Sequence, residues 1–137
     1  MLDKPYVKVI FNYKKNADRK KRILIVEDEP LSVLLIERIL KPFPFEVVVA
    51  INGLDAVEKF KEEEFDLVIM DLYMPKMDGF EASKIIRSLS KTVPIIVIST
   101  TIINEEELKR DIGIDYLLAK PLNVDKFKDF IHMLLLA

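Results

Sequence analysis

The side chains most informative about chemistry are polar residues that come directly after short apolar runs. They are Glu27, Asp28, Asp71, Ser99 and Lys120. The three carboxylates in this set would repel one another unless a cation lay among them. Hard oxygen ligands without histidine or cysteine suit Mg²⁺, and Mn²⁺ can substitute for it. A lysine and a hydroxyl beside such a cation suit the oxygens of a phosphoryl group.

Such a group of side chains favours phosphoryl transfer to a carboxylate. A carboxylate beside Mg²⁺ can act as a nucleophile on phosphorus and form an acyl phosphate. The metal and Lys120 would neutralise the charge on the transferring group. Acids at strand ends are common, so the residues taken alone predict this reaction with only moderate specificity.

The segments around these residues predict a doubly wound α/β domain. Continuous apolar runs rich in β-branched residues are typical of strands buried on both faces. Such runs cover residues 23–26, 47–50, 67–70, 95–98 and 116–118, and each is followed by helical spacing. Strands alternating with helices imply a parallel sheet covered on both faces, here five strands in the order 2-1-3-4-5. Ligands of such sheets bind outside the carboxyl ends of the strands, where the polar residues fall.

Composition narrows the class of protein further. The chain has 137 residues, half of them apolar, and no cysteine, which suits one domain without disulfides or thiolate metal sites. Residues 1–22 carry a charge of +6 (8 basic, 2 acidic) and residues 23–137 carry −8 (13 basic, 21 acidic). An acidic body argues against nucleic-acid binding by that body. We find no candidate membrane span or signal peptide and expect a cytoplasmic protein.

Four motifs resemble the signature blocks of bacterial response-regulator receiver domains. They are Ile-Leu-Ile-Val-Glu-Asp-Glu-Pro (23–30), Met-Asp-Leu-Tyr-Met-Pro-Lys-Met-Asp-Gly (70–79), Pro-Ile-Ile-Val-Ile-Ser-Thr (94–100) and Ala-Lys-Pro (119–121). The resemblance predicts a receiver domain over 23–137, with the flavodoxin-like receiver fold, after a basic arm at 1–22. It implies a phosphoacceptor switch of a two-component phosphorelay rather than an enzyme with a separate substrate.

The resemblance also implies a role for each site residue. Asp71 would accept the phosphoryl group, and Lys120 and Ser99 would hold it. The implied ligands of Mg²⁺ are Glu27, Asp28, Asp71 and the main-chain carbonyl of Tyr73. Glu27 stands where the family usually has aspartate, and Pro121 implies a cis peptide bond after Lys120. The implied phosphodonor is a histidine kinase or a histidine phosphotransfer protein, while the output partner and homodimer formation stay open.

Two departures from the family pattern concern the route by which a signal would leave the site. Leu117 stands where an aromatic residue is common, three positions before the lysine. Tyr116 lies one position earlier, and strand alternation predicts that it faces the other side of the sheet. The segment between Ser99 and Gly113 is about one residue shorter than in common receivers. We therefore expect a short or displaced fourth helix near residues 104–110.

Several residues also have simpler interpretations. Ser99 could cap the following helix, and Thr100 could share its role. The acidic runs at 62–64 and 105–107 are predicted to be solvated faces, and His132 a surface residue. Residues 6–13 have the composition of a strand, which either packs loosely or is partly disordered, or adds to a sheet edge in this chain or a neighbouring one. Contact between the basic arm and nucleic acid is a minor alternative.

Other classes of function compete with the phosphorylated switch. A receiver fold used as a scaffold without phosphorylation would not need the acids, the hydroxyl and the lysine together. An aspartyl phosphatase of the haloacid dehalogenase type would need a second acid two residues after the nucleophile, where Tyr73 stands. A flavin carrier would need a phosphate loop after the first strand, where three consecutive acids (27–29) would repel phosphate.

Overall fold

The computed structural model describes residues 19–74, 76–101 and 103–136. Its strands are β1 (Arg22–Val26), β2 (Glu46–Ala50), β3 (Leu67–Asp71), β4 (Ile95–Ser99) and β5 (Tyr116–Ala119). Its helices are α1 (Pro30–Leu40), α2 (Gly53–Glu62), α3 (Gly79–Leu89), α4 (Glu105–Asp111) and α5 (Val124–Ile131), which continues as a π-helical turn (His132–Leu136). No helix in these ranges is long and apolar enough to cross a membrane.

All strand pairs are parallel, and the order β2-β1-β3-β4-β5 confirms the predicted topology. The strands β3 and β4 are buried along their whole length because helices cover both faces of the sheet. Alternate residues of the strands belong to two apolar clusters, one on each face of the sheet. One cluster includes Leu24, Val68 and Val97 beneath α2, α3 and α4, and the other includes Ile25, Ile69 and Ile96 beneath α1 and α5.

Each helix begins at a polar residue whose side chain accepts hydrogen bonds from the first-turn amides, as N-caps do. The caps are Glu29, Asn52, Asp78, Asn104 and Asn123. The alternative that Ser99 caps the fourth helix is wrong, because Asn104 occupies that position and accepts from the amide of Glu107. The helix has only seven residues, which confirms the expectation of a short element.

The loop after β3 depends on a glycine that opens α3. The amide of Gly79 donates to the carbonyl oxygen of Leu72 at 2.8 Å. A Cβ atom on Gly79 would overlap the carbonyl oxygen of Asp71, so no larger residue fits without moving the backbone. The Asp-Gly pair of the motif therefore fixes how closely α3 approaches the end of β3.

The first described residues bind an acidic loop next to β3. The guanidinium of Arg22 lies 2.7 Å from Glu63, and Arg19 lies 3.2 Å from Asp66. Glu62 and Glu64 are exposed and Glu63 is partly exposed, so the acidic run at 62–64 is a solvated face, as predicted, from which Glu63 also pairs with Arg22. The strand predicted for residues 6–13 lies outside the described residues, and the boundary between arm and domain at residue 22 stays a prediction.

Candidate functional site

Three carboxylates converge at the carboxyl ends of β1 and β3. Because β1 and β3 are neighbours, with Val26 opposite Met70, the residues that follow them meet at one edge. Glu27, Asp28 and Asp71 each offer an oxygen atom, and these atoms all lie within 4.8 Å of one another. Only 3% of Glu27 and 8% of Asp71 is exposed, whereas Asp28 is open to solvent. This all-oxygen donor set fits a hard divalent cation.

Lys120 approaches the same carboxylates from the end of β5. Its Nζ atom lies 2.8 Å from Oε2 of Glu27 and 4.0 Å from Oδ1 of Asp71. The peptide bond between Lys120 and Pro121 is cis, as the resemblance implies. The lysine is therefore held mainly by Glu27, and Asp71 is the more distant of its two partners.

The carboxyl of Asp71 is less acidic than an ordinary aspartate. Burial disfavours its charged form, and the negative charge of Glu27 acts in the same direction. The positive charge of Lys120 opposes these effects only in part, and the pKa of Asp71 is raised to about 6. A cation among the carboxylates would favour the ionised form and would lower this pKa.

Ser99 and Tyr73 flank the cluster in different ways. Ser99 is 2% exposed at the end of β4, and its Oγ atom accepts a hydrogen bond of 3.1 Å from the amide of Thr101. Its hydroxyl thus holds the loop that leaves β4. The ring of Tyr73 is half-exposed and packs edge-on against Phe80, with the centroids 5.8 Å apart.

The two residues around the unusual position in β5 face opposite sides of the sheet, as predicted. Leu117 packs against the cluster beneath α3 and α4. Tyr116 packs against the cluster beneath α1 and α5, and the centroid of its ring lies 4.4 Å from that of Phe130. His132 is exposed, in agreement with its prediction as a surface residue. Its ring lies edge-on to Phe43.

Glu105 makes a contact that the sequence did not predict. The acidic run at 105–107 is predicted to be solvated, and this is wrong at its first residue. Glu105 is half-buried, and its Oε1 atom accepts a hydrogen bond of 2.9 Å from the backbone amide of Leu117. The sequence contains no pattern that pairs Glu105 with Leu117, because the contact joins α4 to the edge strand β5, which comes later in the chain.

Comparison with known proteins identifies the family. The family model described as the response regulator receiver domain matches residues 23–132. The chain belongs to the response-regulator receiver family. The receiver is 33% identical over 108 residues to the transcriptional regulatory protein ZraR of Klebsiella oxytoca, which covers 77% of this chain and 24% of ZraR. It is 34% identical over 113 residues to the sensor protein GacS of Pseudomonas syringae pv. syringae, which covers 78% of this chain and 12% of GacS.

The receiver spans only 4% to 24% of the length of the curated relatives it matches. Those relatives include both regulatory proteins and sensor proteins, and the match covers a small part of each. A solved structure of similar length is the response regulator TrrA of Thermotoga maritima in complex with Mg²⁺ and BeF. It is 34% identical, has a TM-score of 0.76, and the match covers 84% of this chain and 99% of TrrA.

Proposed function

We propose that this receiver accepts a phosphoryl group on Asp71 from a phosphohistidine partner, in a reaction that depends on Mg²⁺. The observation that carries the proposal is the arrangement of Glu27, Asp28 and Asp71 within 4.8 Å of one another, with Lys120 beside them. We take Asp71 as the nucleophile because it ends the central strand β3 at the position that the receiver motif gives to the phosphoacceptor, with Lys120 4.0 Å away. Mn²⁺ would be accepted in place of Mg²⁺, since both suit carboxylate oxygens.

The transfer moves one phosphoryl group between two side chains. An oxygen of Asp71 attacks phosphorus, and the bond from phosphorus to the histidine nitrogen breaks. The imidazole leaves with the electron pair of that bond and takes a proton, and Asp71 becomes an acyl phosphate. Little other chemistry falls to the protein, so its contribution is position and charge.

The donor set is suited to hold the cation that such a transfer needs. Glu27, Asp28 and Asp71, with the main-chain carbonyl of Tyr73, would supply oxygen ligands to Mg²⁺. When bound, the cation supplies positive charge opposite the oxygens of the transferring group. Asp28 is the ligand most accessible to solvent, and the buried Glu27 is already paired with Lys120. Glu27 would therefore act on the cation mainly through its charge, with Asp28 and Asp71 as the more direct ligands.

Lys120 and Ser99 are the groups that would hold the phosphoryl oxygens. Lys120 needs only a modest movement to leave Glu27 for a phosphoryl group on Asp71, because both carboxylates lie within its reach. Ser99, whose Oγ atom accepts the hydrogen bond from the amide of Thr101, would donate its hydroxyl hydrogen to a phosphoryl oxygen. These two new contacts would convert a local modification into a change of conformation that an output partner reads.

The mouth of the site has a surface that suits a protein phosphodonor. The exposed fractions of Leu31, Leu34 and Leu35 on α1 are 73%, 47% and 42%. Leu31 and Leu35 border a cavity of about 260 Å³ that Lys120 also lines. Because Lys120 also lines this cavity, the exposed apolar side chains of α1 support docking by a histidine kinase or a phosphotransfer protein on this side of the site.

The test is phosphorylation by a small donor that needs no protein partner. Incubation with phosphoramidate and Mg²⁺ should add one phosphoryl group to the wild-type chain, measured as intact mass. Asp71→Asn should add none, because an amide is a poor nucleophile and cannot form the acyl phosphate. The matched control is Asp125→Asn, which makes the same change at an exposed site on α5 and should leave uptake unchanged.

Removal of the cation by a chelator should slow uptake by the wild-type chain by roughly 100-fold or more, because the charge on the transferring group is then unopposed. A wild-type chain that takes up no phosphoryl group with Mg²⁺ present would contradict the proposal. Uptake by Asp71→Asn at the wild-type rate would show that another residue is modified.

A further inference from the structure

The edge of the sheet at β2, on the side away from β5, is only partly closed. β2 is the last strand on that side. The amide of Glu46 donates to the carbonyl oxygen of Lys21, on the side of β1, at 2.9 Å. Because hydrogen-bonding groups alternate along a strand, those of Val47 and Val49 point outward. Within the part of the chain that the structure describes, no hydrogen bond reaches the N–H or the C=O of Val47.

A lysine closes the other half of this edge. Nζ of Lys59 on α2 donates to the outward carbonyl oxygen of Val49 at 2.8 Å and also pairs with Asp55 at 3.0 Å. A lysine on a sheet edge is a common way to keep further strands from pairing there. The carboxyl half of β2 is thus protected, and the open hydrogen-bonding groups lie at its amino half, around Val47.

The open half of the edge borders an apolar groove. A cavity of about 500 Å³ lies between α1 and β2. Its apolar lining consists of Leu34, Leu40, Phe43, Phe45 and Val47. The rings of Phe43 and Phe45 stack with their centroids 5.5 Å apart, and 47% of Leu34 is exposed. Apolar side chains beside open backbone groups are the combination that an added strand covers, since its backbone pairs with the edge and alternate side chains fill the groove.

Residues 6–13 have the sequence pattern that such a strand needs. Side chains alternate between the two faces of a strand, so this segment presents two rows. One row is entirely apolar and consists of Val7, Val9, Phe11 and Tyr13. The other row is mixed and consists of Tyr6, Lys8, Ile10 and Asn12. The apolar row therefore suits the groove, where Phe11 and Tyr13 could pack against the stacked rings.

The course of the chain brings this segment to the open half of β2. Arg22 begins β1, and its Nε atom lies 3.1 Å from Oε2 of Glu46, the first residue of β2. The outer side of β2 lies about 10 Å from β1, which is two strand spacings. Residues 14–18 span up to about 17 Å when extended, so they can pass the end of β2. A strand that ends at Tyr13 then runs antiparallel to β2.

Opposite charges favour the same placement. Residues 1–22 carry +6 (8 basic, 2 acidic) and residues 23–137 carry −8 (13 basic, 21 acidic). Lys14 and Lys15 directly follow the segment, and an antiparallel strand brings them to the end of the sheet where the carboxylate of Glu46 is half-exposed. Attraction between exposed charges contributes little by itself. It therefore supports the direction of the strand more than the strength of its attachment.

We propose that residues 6–13 of this chain pair antiparallel with the amino half of β2 and lay their apolar row over the groove beside α1. The sheet then has six strands, and the open edge at Val47 is closed by the chain's own arm. The arm is thereby withdrawn from pairing with a neighbouring chain. This role does not depend on phosphorylation of Asp71.

The test is amide hydrogen exchange in the full chain, measured by NMR at two neighbouring residues of β2. The outward amide of Val47 should be protected in wild type. Phe11→Asp should speed its exchange about tenfold or more, because a carboxylate in the apolar groove detaches the segment. The amide of Val48 faces β1 and should keep its rate in this variant, which shows that the sheet stays folded. The matched control is Asn12→Asp, which adds the same charge to the mixed row and should leave Val47 protected.

Two results would overturn the proposal directly. One is equal exchange at Val47 in wild type and Phe11→Asp, and the other is exchange in Asn12→Asp as fast as in Phe11→Asp. Light scattering separates pairing within one chain from pairing between chains. The protected wild-type chain should be a monomer, with nuclear Overhauser contacts from the ring of Phe11 to the methyl groups of Leu34 or Val47. Protection that appears only as a dimer forms would assign the edge to a neighbouring chain and overturn pairing within one chain.

Discussion

The proposed phosphoacceptor site and the edge formed by α4 and β5 lie side by side but are built differently. Asp71 and Glu27 end the buried strands β3 and β1 and are themselves almost entirely buried. The α4 edge has one buried side chain, Leu108, and a single carboxylate that binds the strand beside it. One region is fixed from both faces of the sheet, and the other is attached at a few points.

The difference between these regions fits the proposed function of a phosphorylated switch. Phosphoryl transfer needs its nucleophile and its positive charges in place before the donor arrives, which a rigid sheet provides. An output surface must change between two states, and the elements that move are those of low local stability. The receiver therefore combines a firm site with a weakly held neighbour, and Ser99 contacts the loop that joins them.

The two regions should differ most in the free energy of unfolding that is lost when an apolar side chain is truncated to alanine. Ile96→Ala in β4 should lower the free energy of unfolding by about 3–4 kcal/mol, because the side chain is fully buried and leaves a cavity. Leu117→Ala in β5 should cost about 1 kcal/mol, since that side chain is half-buried. Urea unfolding of the two variants measures both values. Similar losses in the two variants would mean that the edge is as firmly packed as the centre of the sheet.

Replacement of Lys120 should separate its two effects on the site. Lys120→Met should slow phosphoryl uptake by roughly 100-fold, since one positive charge opposite the transferring group is lost. The same variant should bind Mg²⁺ more tightly, because the ammonium that lies 2.8 Å from Glu27 no longer competes with the cation. Uptake is measured by mass and Mg²⁺ affinity by calorimetry. Lys128→Met, an exposed lysine on α5, is the control and should change neither.

The smallest effect concerns the dependence of stability on pH in the metal-free chain. The pKa of Asp71 is about 6 in the folded receiver and about 3.9 when unfolded, so the folded state binds more protons between these values. The stabilisation that comes from protonated Asp71 is complete below pH 4 and is lost as the pH rises through 6. We expect a loss of about 1–2 kcal/mol after allowance for solvent screening.

Urea unfolding at pH 5 and pH 8 without metal measures this loss. Asp71→Asn removes the titrating group and should flatten the pH dependence, and it should be the more stable chain at pH 8. Mg²⁺ should also restore stability at pH 8, because it binds the ionised carboxylates. If the wild-type chain has the same free energy of unfolding at both pH values, folding does not raise the pKa of Asp71.

The sequence by itself determined the order of the elements along the chain and the choice of candidate site residues. Continuous β-branched runs allow only strands buried on both faces, and the intervening helices allow only parallel connections. Those two facts do not fix the strand order; the order 2-1-3-4-5 was predicted as the usual one for a sheet of this size, and the structure has it. The polar residues that end the runs had to meet because parallel strands end at one edge. The short α4 and the opposite faces of Tyr116 and Leu117 were also predictable from spacing.

The tertiary structure decided which of those residues pair. The sequence placed Glu27 among metal ligands, but only the fold shows that its longer side chain reaches Lys120 at 2.8 Å and leaves Asp71 the more distant partner. The sequence likewise placed Glu105 in a solvated acidic run, and only the fold brings its carboxylate to the amide of Leu117. The reason is physical: local patterns fix which face a residue occupies, whereas the choice of a hydrogen-bond partner depends on distances between elements far apart in the chain.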